Sequence, residues 1–249
     1  MRSGLVKTEA IVLSKFKYSD SSNIVNFYTR KRGRITAMIK GGRSLKSKSG
    51  LATDVLNIVE LFYYEKEGRD LFTINTSELI FYPKHVITDI TSLYCATSVV
   101  ELLKELTPEH EENDRLYRGS EKIIRLMDDN IGDARILFLK YFLFFLEESG
   151  VGIHSESCST CGNMIVNSEQ VRFDPGNGIL CAKCGFDKRR GINISMELYR
   201  LLESLNKGLT IEVIDKKTVS DLFLLLETYT RTHFETFKGL KAFRLIGGI

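Results

Sequence analysis

Four cysteines form the clearest chemical pattern in the sequence. They make two Cys-x-x-Cys pairs with nineteen residues between the pairs, at Cys158, Cys161, Cys181 and Cys184. Thiolates are preferred ligands of Zn²⁺, and each such pair can supply two sulfurs to a tetrahedral site. A glycine follows the second cysteine of each pair, at Gly162 and Gly185, and allows the turn to close tightly. The spacing therefore predicts a four-cysteine site that holds one Zn²⁺ per chain.

We expect this zinc to be structural. Four thiolates close the coordination sphere, whereas a catalytic zinc keeps one position open for water or substrate. His154 lies nearby but has no partner at ligand spacing. A redox-active cysteine pair is the alternative, and two pairs at this spacing favour a metal. Four cations in the same region either offset the charge of the site or contact phosphate: Lys183, Lys188, Arg189 and Arg190.

The net charge of +3 conceals a strongly basic stretch. Between Lys15 and Lys48 ten residues are basic and only Asp20 is acidic, whereas over 49–130 acidic residues outnumber basic ones by sixteen to eight. A local patch matters more to a polyanionic partner than the mean charge does, and phosphate backbones bind such patches with release of counterions. We therefore predict nucleic-acid phosphate contacts by Lys15, Lys17, Arg30, Arg32, Arg34, Lys40, Arg43, Lys46 and Lys48.

Aromatic residues are interleaved with this basic stretch, and the bases of single strands stack on exposed aromatic rings. Phe16 lies between two lysines, and Phe27 and Tyr28 precede Arg30. Strand alternation places Val25 and Phe27 together on a core face and Tyr28 on the opposite face. Tyr28 is therefore the predicted stacking residue.

The sequence contains no recognisable catalytic pattern. The glycine-rich loop at 41–47 lacks the Gly-Lys-Ser/Thr ending of a P-loop, and we expect no helix to start after it. The acidic pairs Glu111-Glu112 and Asp128-Asp129 have no histidine signature near them and are interpreted as solvated. The isolated histidines are expected to be structural or exposed: His85, His110 and His233. These features favour a binding protein over an enzyme.

The first third of the chain has the two-residue period of β-strands. Strands are predicted over 9–18, 23–29, 34–40, 56–64 and 71–79. In the third, Ile35, Ala37 and Ile39 alternate with residues that face solvent or a ligand. Five short strands over about eighty residues are typical of a small closed barrel, and the five-stranded OB-fold is the commonest candidate.

A helical period replaces the strand period after Pro83. Apolar spacing predicts helices over 92–106, 114–129, 134–148, 196–205 and 219–237, with a hairpin inside the cysteine-rich insert. The predicted fold class is α+β, with an OB-fold nucleic-acid-binding domain at 1–82 and a helical domain at 83–249 that carries a zinc element at 154–190. Cys95 falls in a helical pattern and is expected to be a small buried residue.

The composition is that of an ordinary globular protein, with 43% hydrophobic and 27% charged residues. We find no signal peptide, and the most apolar window, 136–146, is interrupted by Lys140 and too short to span a bilayer. A cytoplasmic location is therefore expected, where thiols stay reduced and disulfides are rare.

The order of these features resembles the RecO family of bacterial recombination mediators. The cysteines match the zinc-bearing members of that family, although other members lack them, and Arg43-Ser44 stands where the family commonly has two arginines. The resemblance covers nearly the whole chain. It includes the opening strand at 9–20, the Phe-Thr-x-x-x-Gly turn at 28–33, the lysine–glycine–arginine loop at 39–47 and the basic tail at 233–243.

The resemblance implies a non-enzymatic mediator of DNA repair associated with the bacterial nucleoid. Such proteins bind single- and double-stranded DNA and anneal complementary strands. With RecR, they help to load the RecA recombinase onto DNA coated with single-strand-binding protein. The helical domain would dock the C-terminal tail of single-strand-binding protein.

Two other functions are compatible with the residues. An RNA-binding or translation-associated zinc protein is the first, because OB barrels bind both nucleic acids. A metal-dependent hydrolase that acts on nucleic acid is the second, and cleavage of DNA that a chelator stops would identify it.

Overall fold

The computed structural model describes residues 4–65, 68, 70–165, 170–185, 191–209, 211 and 215–246. The chain folds as two compact units, Met1–Ala134 and Arg135–Ile249. A five-stranded barrel and two long helices form the first unit, and the other long helices and a small sheet form the second. In the described part of the chain, no helix has both the length and the apolar character that a membrane crossing needs.

The predicted five-stranded barrel is confirmed. It is closed in the order β1-β2-β3-β5-β4, with a parallel β3–β5 pair and antiparallel pairs elsewhere. The long first strand pairs with β4 through its first half and with β2 through its second half, with a register shift between Val12 and Ser14. This is the arrangement of an OB-fold. The strands are β1 (Gly4–Lys17), β2 (Asn23–Thr29), β3 (Gly33–Ile39), β4 (Ile58–Glu65) and β5 (Leu71–Phe81).

The interior of the barrel follows the predicted alternation. Val25 and Phe27 are buried in it, together with the alternating apolar residues of β3. The outer face of the barrel is not exposed to solvent everywhere, because Ile11 and Leu13 on β1 are also buried. Helix α2 (Ile90–Leu106) lies against β1. One strand of the barrel is therefore covered on both faces.

A short helix, α1 (Lys48–Ala52), follows the glycine-rich loop, so the expectation that no helix starts there is wrong. The side chain of Ser47 accepts a hydrogen bond from the N–H of Gly50 and caps the helix. Serine is a favoured N-cap residue because its oxygen satisfies one of the unpaired N–H groups of the first turn. The loop still lacks the residues of a P-loop.

The barrel leads through a 3-10 turn, Val86–Thr88, into α2 and then α3 (Asp114–Asp128). Asp128 is buried, and its carboxylate accepts hydrogen bonds from the N–H groups of His85 (2.7 Å) and Val86 (2.9 Å). The interpretation of Asp128 as solvated is therefore wrong. Cys95 on α2 is fully buried, as predicted.

The second unit contains the remaining elements. The predicted helix over 219–237 ends earlier, at His233, because the chain turns back there. The buried carboxylate of Glu227 accepts the N–H of Leu240 (2.9 Å) and holds the returning segment. The elements are α4 (Ala134–Glu148), β6 (Arg172–Asp174), β7 (Gly178–Leu180), β8 (Ile192–Asn193), α5 (Met196–Asn206), α6 (Lys216–His233) and α7 (Lys241–Arg244).

The loop between α2 and α3 packs against the β2–β3 turn of the barrel. The N–H of His110 donates to the carbonyl oxygen of Arg34 (3.1 Å). Gly33 has φ +59, and a Cβ atom there would overlap the backbone carbonyl of Glu111. The compact unit thus extends beyond the barrel through α2 and α3, while the domain boundary at 82/83 stays a prediction.

We expect Gly33→Ala to lower the free energy of unfolding by about 2–4 kcal/mol, because it combines a left-handed backbone with overpacking against the loop. Gly41→Ala is the matched control, since Gly41 has a similar φ of +66 but nothing within 4 Å of the added Cβ. It should cost only about 1–2 kcal/mol. Chemical denaturation measures both, and equal losses would contradict the packing role of Gly33.

Candidate metal centre and nucleic-acid interface

The four predicted metal ligands lie together in the second unit. The sulfur atoms of Cys158, Cys161, Cys181 and Cys184 are all within 4.8 Å of one another, and all five cysteines of the chain are free thiols. The Sγ atoms of Cys161 and Cys181 are 3.8 Å apart. Two sulfurs bound to one tetrahedral zinc at ~2.3 Å lie about 3.8 Å apart. The cluster therefore has the ligand set and spacing that fit a metal ion.

Two similar turns present the sulfurs. The N–H of Gly162 donates to the carbonyl oxygen of Cys158 (2.8 Å), and the N–H of Gly185 donates to that of Cys181 (2.9 Å). Gly162 has φ +73, which a glycine adopts without strain. Gly185 serves differently, because the side chain of Arg172 fills the space where a Cβ would lie.

The hairpin of β6 and β7 joins the two turns, as the sequence predicted. Both the N–H and the hydroxyl of Ser159 donate to the carbonyl oxygen of Ile179, at 2.8 Å each. Leu180 packs with the sulfurs in a very small core. Such an insert buries little apolar surface, so a bound metal would supply much of its folding free energy.

The thiols differ in how readily they ionise. Burial opposes ionisation of Cys158, but N–H donors from Cys181, Cys161 and Thr160 together lower its pKa to about 6. The Cys184 thiol donates hydrogen bonds to the sulfurs of Cys161 and Cys181, and these bonds raise its pKa. The Cys158 sulfur is thus stabilised as a thiolate, whereas the Cys184 thiol resists ionisation. A bound cation would stabilise the thiolate form of all four sulfurs.

The structure describes only some of the histidine and cationic residues that lie near the cluster in sequence. His154 is exposed and lies outside the four-sulfur group. Lys183 is exposed on the second turn, where it could offset the charge of the site. Lys188, Arg189 and Arg190, and the end of the predicted zinc element, lie outside the described residues.

The predicted phosphate contacts fall mainly at two opposite ends of the barrel. Strand β2 runs from one end to the other, so the β2–β3 turn lies at the end opposite to the β1–β2 turn. We call the end at the β2–β3 turn the arginine end, defined by Arg30, Arg32 and Arg34. We call the end at the β1–β2 turn the basic rim, defined by Lys17, Lys40, Arg43, Lys46 and Lys48.

The cations of the arginine end are engaged within the protein. The Nε atom of Arg30 lies 2.7 Å from the carboxylate of Asp114, and its Nη1 atom lies 3.0 Å from that of Glu9. Arg34 donates to the carbonyl oxygen of Thr107 (3.1 Å) and pairs with Glu109 (3.4 Å). These arginines link the barrel to the loop before α3 and to the first residue of that helix.

Arg32 is held in the same way. It pairs with the carboxylate of Glu65, its Nε atom lies 3.4 Å from Nδ1 of His110, and its guanidinium lies 5.4 Å from the centre of the Phe72 ring. Lys15, on β1, donates to the carbonyl oxygen of Gly50 and to Asp54. Lys15, Arg30, Arg32 and Arg34 thus already face carboxylates of the chain, so these positions favour a phosphate contact less than cations without such a partner do.

The basic rim has a different environment. Its five cations are exposed, and none of them forms an ion pair with any described residue. Lys17 and Ile39 both pair with Asn23, which places Lys17 and Lys40 at the same end of the sheet. The backbone N–H and the guanidinium of Arg43 donate to carbonyl oxygens of the β1–β2 turn, at 3.1 and 2.6 Å. The loop and the turn together therefore present one cationic surface.

The stacking prediction for Tyr28 is wrong, because its ring is only 1% exposed. Tyr28 pairs with Ile11 of β1, the strand against which helix α2 packs. Two rings at the end of β1, beside Lys17 of the basic rim, are exposed instead: Phe16 (51%) and Tyr18 (61%). The signal that could have found them is their position next to Lys17 and before the turn.

Comparison with known proteins agrees with this architecture. The family model described as "Recombination protein O N terminal" matches residues 1–83, and the one described as "Recombination protein O C terminal" matches residues 87–241. Together they cover nearly all of the chain. The chain belongs to the RecO family.

Relatives named "DNA repair protein RecO" match over most of their length. A relative from Alkaliphilus metalliredigens is 31% identical, and the match covers 72% of each chain. One from Chlorobium phaeobacteroides is 28% identical, over 85% of this chain and 84% of its own. One from Chlorobium limicola is 26% identical, over 93% of both. Membership of the RecO family thus extends across both units.

In this RecO family member, we expect Cys158→Ser to abolish stoichiometric metal binding and to lower the melting temperature by several degrees, because one ligand of four is lost. Cys95→Ala is the control, since Cys95 lies in α2 of the first unit and is not one of the four clustered cysteines. Elemental analysis and thermal unfolding measure both. A wild-type protein that carries no metal and unfolds at the same temperature as Cys158→Ser would contradict the metal centre.

The Arg30–Asp114 pair predicts a pH dependence of stability. The hydrogen bond from the Arg30 guanidinium lowers the pKa of the Asp114 carboxyl. Its contribution is therefore present above the unfolded-state pKa of about 4 and is lost as the pH falls through the folded-state pKa. We expect Asp114→Asn to be less stable than the wild type at pH 7, with a difference that shrinks below about pH 4.

Urea denaturation at several pH values measures this difference. Asp20→Asn is the control, since Asp20 is exposed and forms no ion pair with the described residues. A stability difference for Asp114→Asn that stays constant down to about pH 2.5 would contradict the contribution of this pair.

Proposed function

We propose that the chain is a DNA-binding mediator of recombinational repair that binds single- and double-stranded DNA and anneals complementary strands. The observation that carries the proposal is an OB barrel, in a RecO family chain, with a rim of exposed cations that have no ion-pair partner among the described residues. Relatives of this chain are named DNA repair proteins.

The rim supplies the two interactions that single-stranded DNA needs. Exposed lysines and Arg43 attract phosphates and release counterions. Phe16 and Tyr18 offer ring faces on which bases stack, at roughly 1–3 kcal/mol per base. The cation of Lys104 lies 5.6 Å from the Phe16 ring centre and covers part of that ring, so Tyr18 is the more open of the two. A surface of this kind binds strands with little sequence preference.

Annealing requires no covalent step. Two polyanions repel each other, and a cationic surface that binds both lowers that repulsion. The mediator is accordingly proposed to be non-enzymatic, which agrees with the structural roles of two isolated histidines. His85 contacts the carbonyl of Asp128, and His110 accepts from Arg32.

The metal is proposed to be one structural Zn²⁺ per chain, held by Cys158, Cys161, Cys181 and Cys184. Thiolate ligands favour zinc over the hard cations, and four of them leave no position open for substrate. When bound, the ion supplies a rigid cross-link between the two turns. The proposed DNA-binding surface belongs to the other unit.

The proposed partners are those of the family's recombination machinery. They are DNA, RecR and the C-terminal tail of single-strand-binding protein, with RecA acting indirectly and the helical domain docking the tail. A cytoplasmic, nucleoid-associated location follows from these partners.

Charge reversal of the rim tests the binding site. We expect Lys40→Glu/Arg43→Glu to weaken binding of a single-stranded oligonucleotide at least about tenfold at low salt, and to reduce the salt slope by about 1–2. The control is Lys216→Glu/Lys217→Glu, which makes the same charge change on exposed residues at the start of α6, where carboxylates suit a helix N-terminus. Fluorescence anisotropy measures both, and equal weakening would show that only net charge matters.

Strand annealing tests the function itself. We expect the wild type to accelerate annealing of complementary strands both bare and coated with single-strand-binding protein, and the rim variant to lose both activities. Stronger binding of an RNA competitor than of DNA would favour the RNA-binding alternative. Cleavage of DNA that a chelator stops would overturn the proposal.

A further inference from the structure

The arginine end and the basic rim belong to the same barrel, yet the three arginines face carboxylates whereas the rim cations form no ion pair with the described residues. Lys31, between the arginines, is exposed and donates to the carbonyl oxygen of Lys7 (3.2 Å). Two of the compensating carboxylates come from outside the barrel, at the junction of α2 and α3. Glu109 pairs with Arg34, and Asp114 pairs with Arg30. Without them, Arg34 would lose its carboxylate partner and Arg30 would keep only Glu9, so the β2–β3 turn would become more cationic.

The position of this segment depends little on its carboxylates. The backbone already fixes it, since the N–H of His110 donates to Arg34 and the carbonyl of Thr107 accepts from the same residue. Asn113 caps α3 by accepting the N–H of Leu116 (2.8 Å). The acidic side chains are therefore placed on arginines by a segment that other contacts hold.

The energetics of such pairs also point away from a purely stabilising role. The Arg30 and Asp114 side chains are 42% and 37% exposed, and Arg34 and Glu109 are 25% and 45% exposed. Ion pairs at this exposure generally contribute little to stability. These ion pairs affect the electrostatic potential around the barrel more than they affect stability, because a guanidinium that already faces a carboxylate attracts phosphate weakly.

We propose that Glu109 and Asp114 act as internal competitors for DNA phosphate, which block a second binding surface at the arginine end and confine DNA to the basic rim. Their carboxylates occupy positions at Arg30 and Arg34 that phosphate oxygens would otherwise take. The acidic segment thus determines where on the barrel, and over how many nucleotides, a strand is bound. This inference rests on the proposed DNA-binding function.

The test is a gain of affinity. Glu109→Gln/Asp114→Asn should bind a single-stranded oligonucleotide about three- to tenfold more tightly at low salt, with a salt slope steeper by about 0.7 for each arginine that gains a phosphate. Stoichiometric titration should show a longer occluded site. Asp114 also pairs with Arg118 (2.8 Å), so Glu109→Gln alone is the second variant, with a smaller expected gain.

The matched control is Glu111→Gln/Glu112→Gln. It removes the same charge from exposed residues of the same segment that form no ion pair with the described residues. It should change affinity less than about twofold. Adding Arg30→Gln/Arg34→Gln to the competitor variant should abolish the gain, because the gain requires these guanidiniums.

Three results would overturn the inference. They are an unchanged affinity for both competitor variants, an equal gain in the Glu111→Gln/Glu112→Gln control, and a gain that persists without the two arginines. Each of these leaves the proposed function intact as long as the wild type binds DNA through the rim. A wild type that binds no DNA would instead refute the proposed function itself.

Discussion

The pairing of the β2–β3 arginines with carboxylates decides how the barrel can be used. Arg30, Arg32 and Arg34 all face acidic side chains within the first unit. Gly33 lets the α2–α3 loop approach closely, which brings Glu109 and Asp114 to Arg34 and Arg30. Because these three arginines already face carboxylates, most of the cations without an ion-pair partner among the described residues lie at the other end, around Lys40 and the loop after it. The basic stretch between Lys15 and Lys48 thus folds into a barrel whose unpaired cations lie mainly at one end, the basic rim.

The metal centre and the basic rim lie in separate units and have separate tasks. The four sulfurs fit a closed tetrahedral site that cross-links a small insert, while the cations and exposed rings suit a flexible polyanion. This separation is consistent with a DNA-binding activity that family members with and without the cysteines share. It also explains why the most recognisable motif of the chain is not its proposed functional surface.

Local patterns predicted much of the fold, and long-range packing accounts for what they missed. The strands followed from two-residue alternation, and the metal ligands from the spacing of the cysteines. The burial of Tyr28 was missed because the helices that cover the outer face of β1 come more than sixty residues later. The ion pairs of Arg30 and Arg34 join residues over seventy positions apart, and no local pattern signals them. Asp128 was misread for the same reason, since its partners lie forty-two and forty-three residues earlier.

The proposed DNA-binding site is the basic rim and not the arginine end. Photocrosslinking of an oligonucleotide that carries 5-iodouracil, followed by mass spectrometry of the joined peptides, tests this most directly because the reagent reacts with aromatic rings in contact with the base. We expect crosslinks at Tyr18 and Phe16, within the peptides that form the rim. Crosslinks confined to the arginine end, at the exposed ring of Tyr64 beside Glu65, would contradict this site.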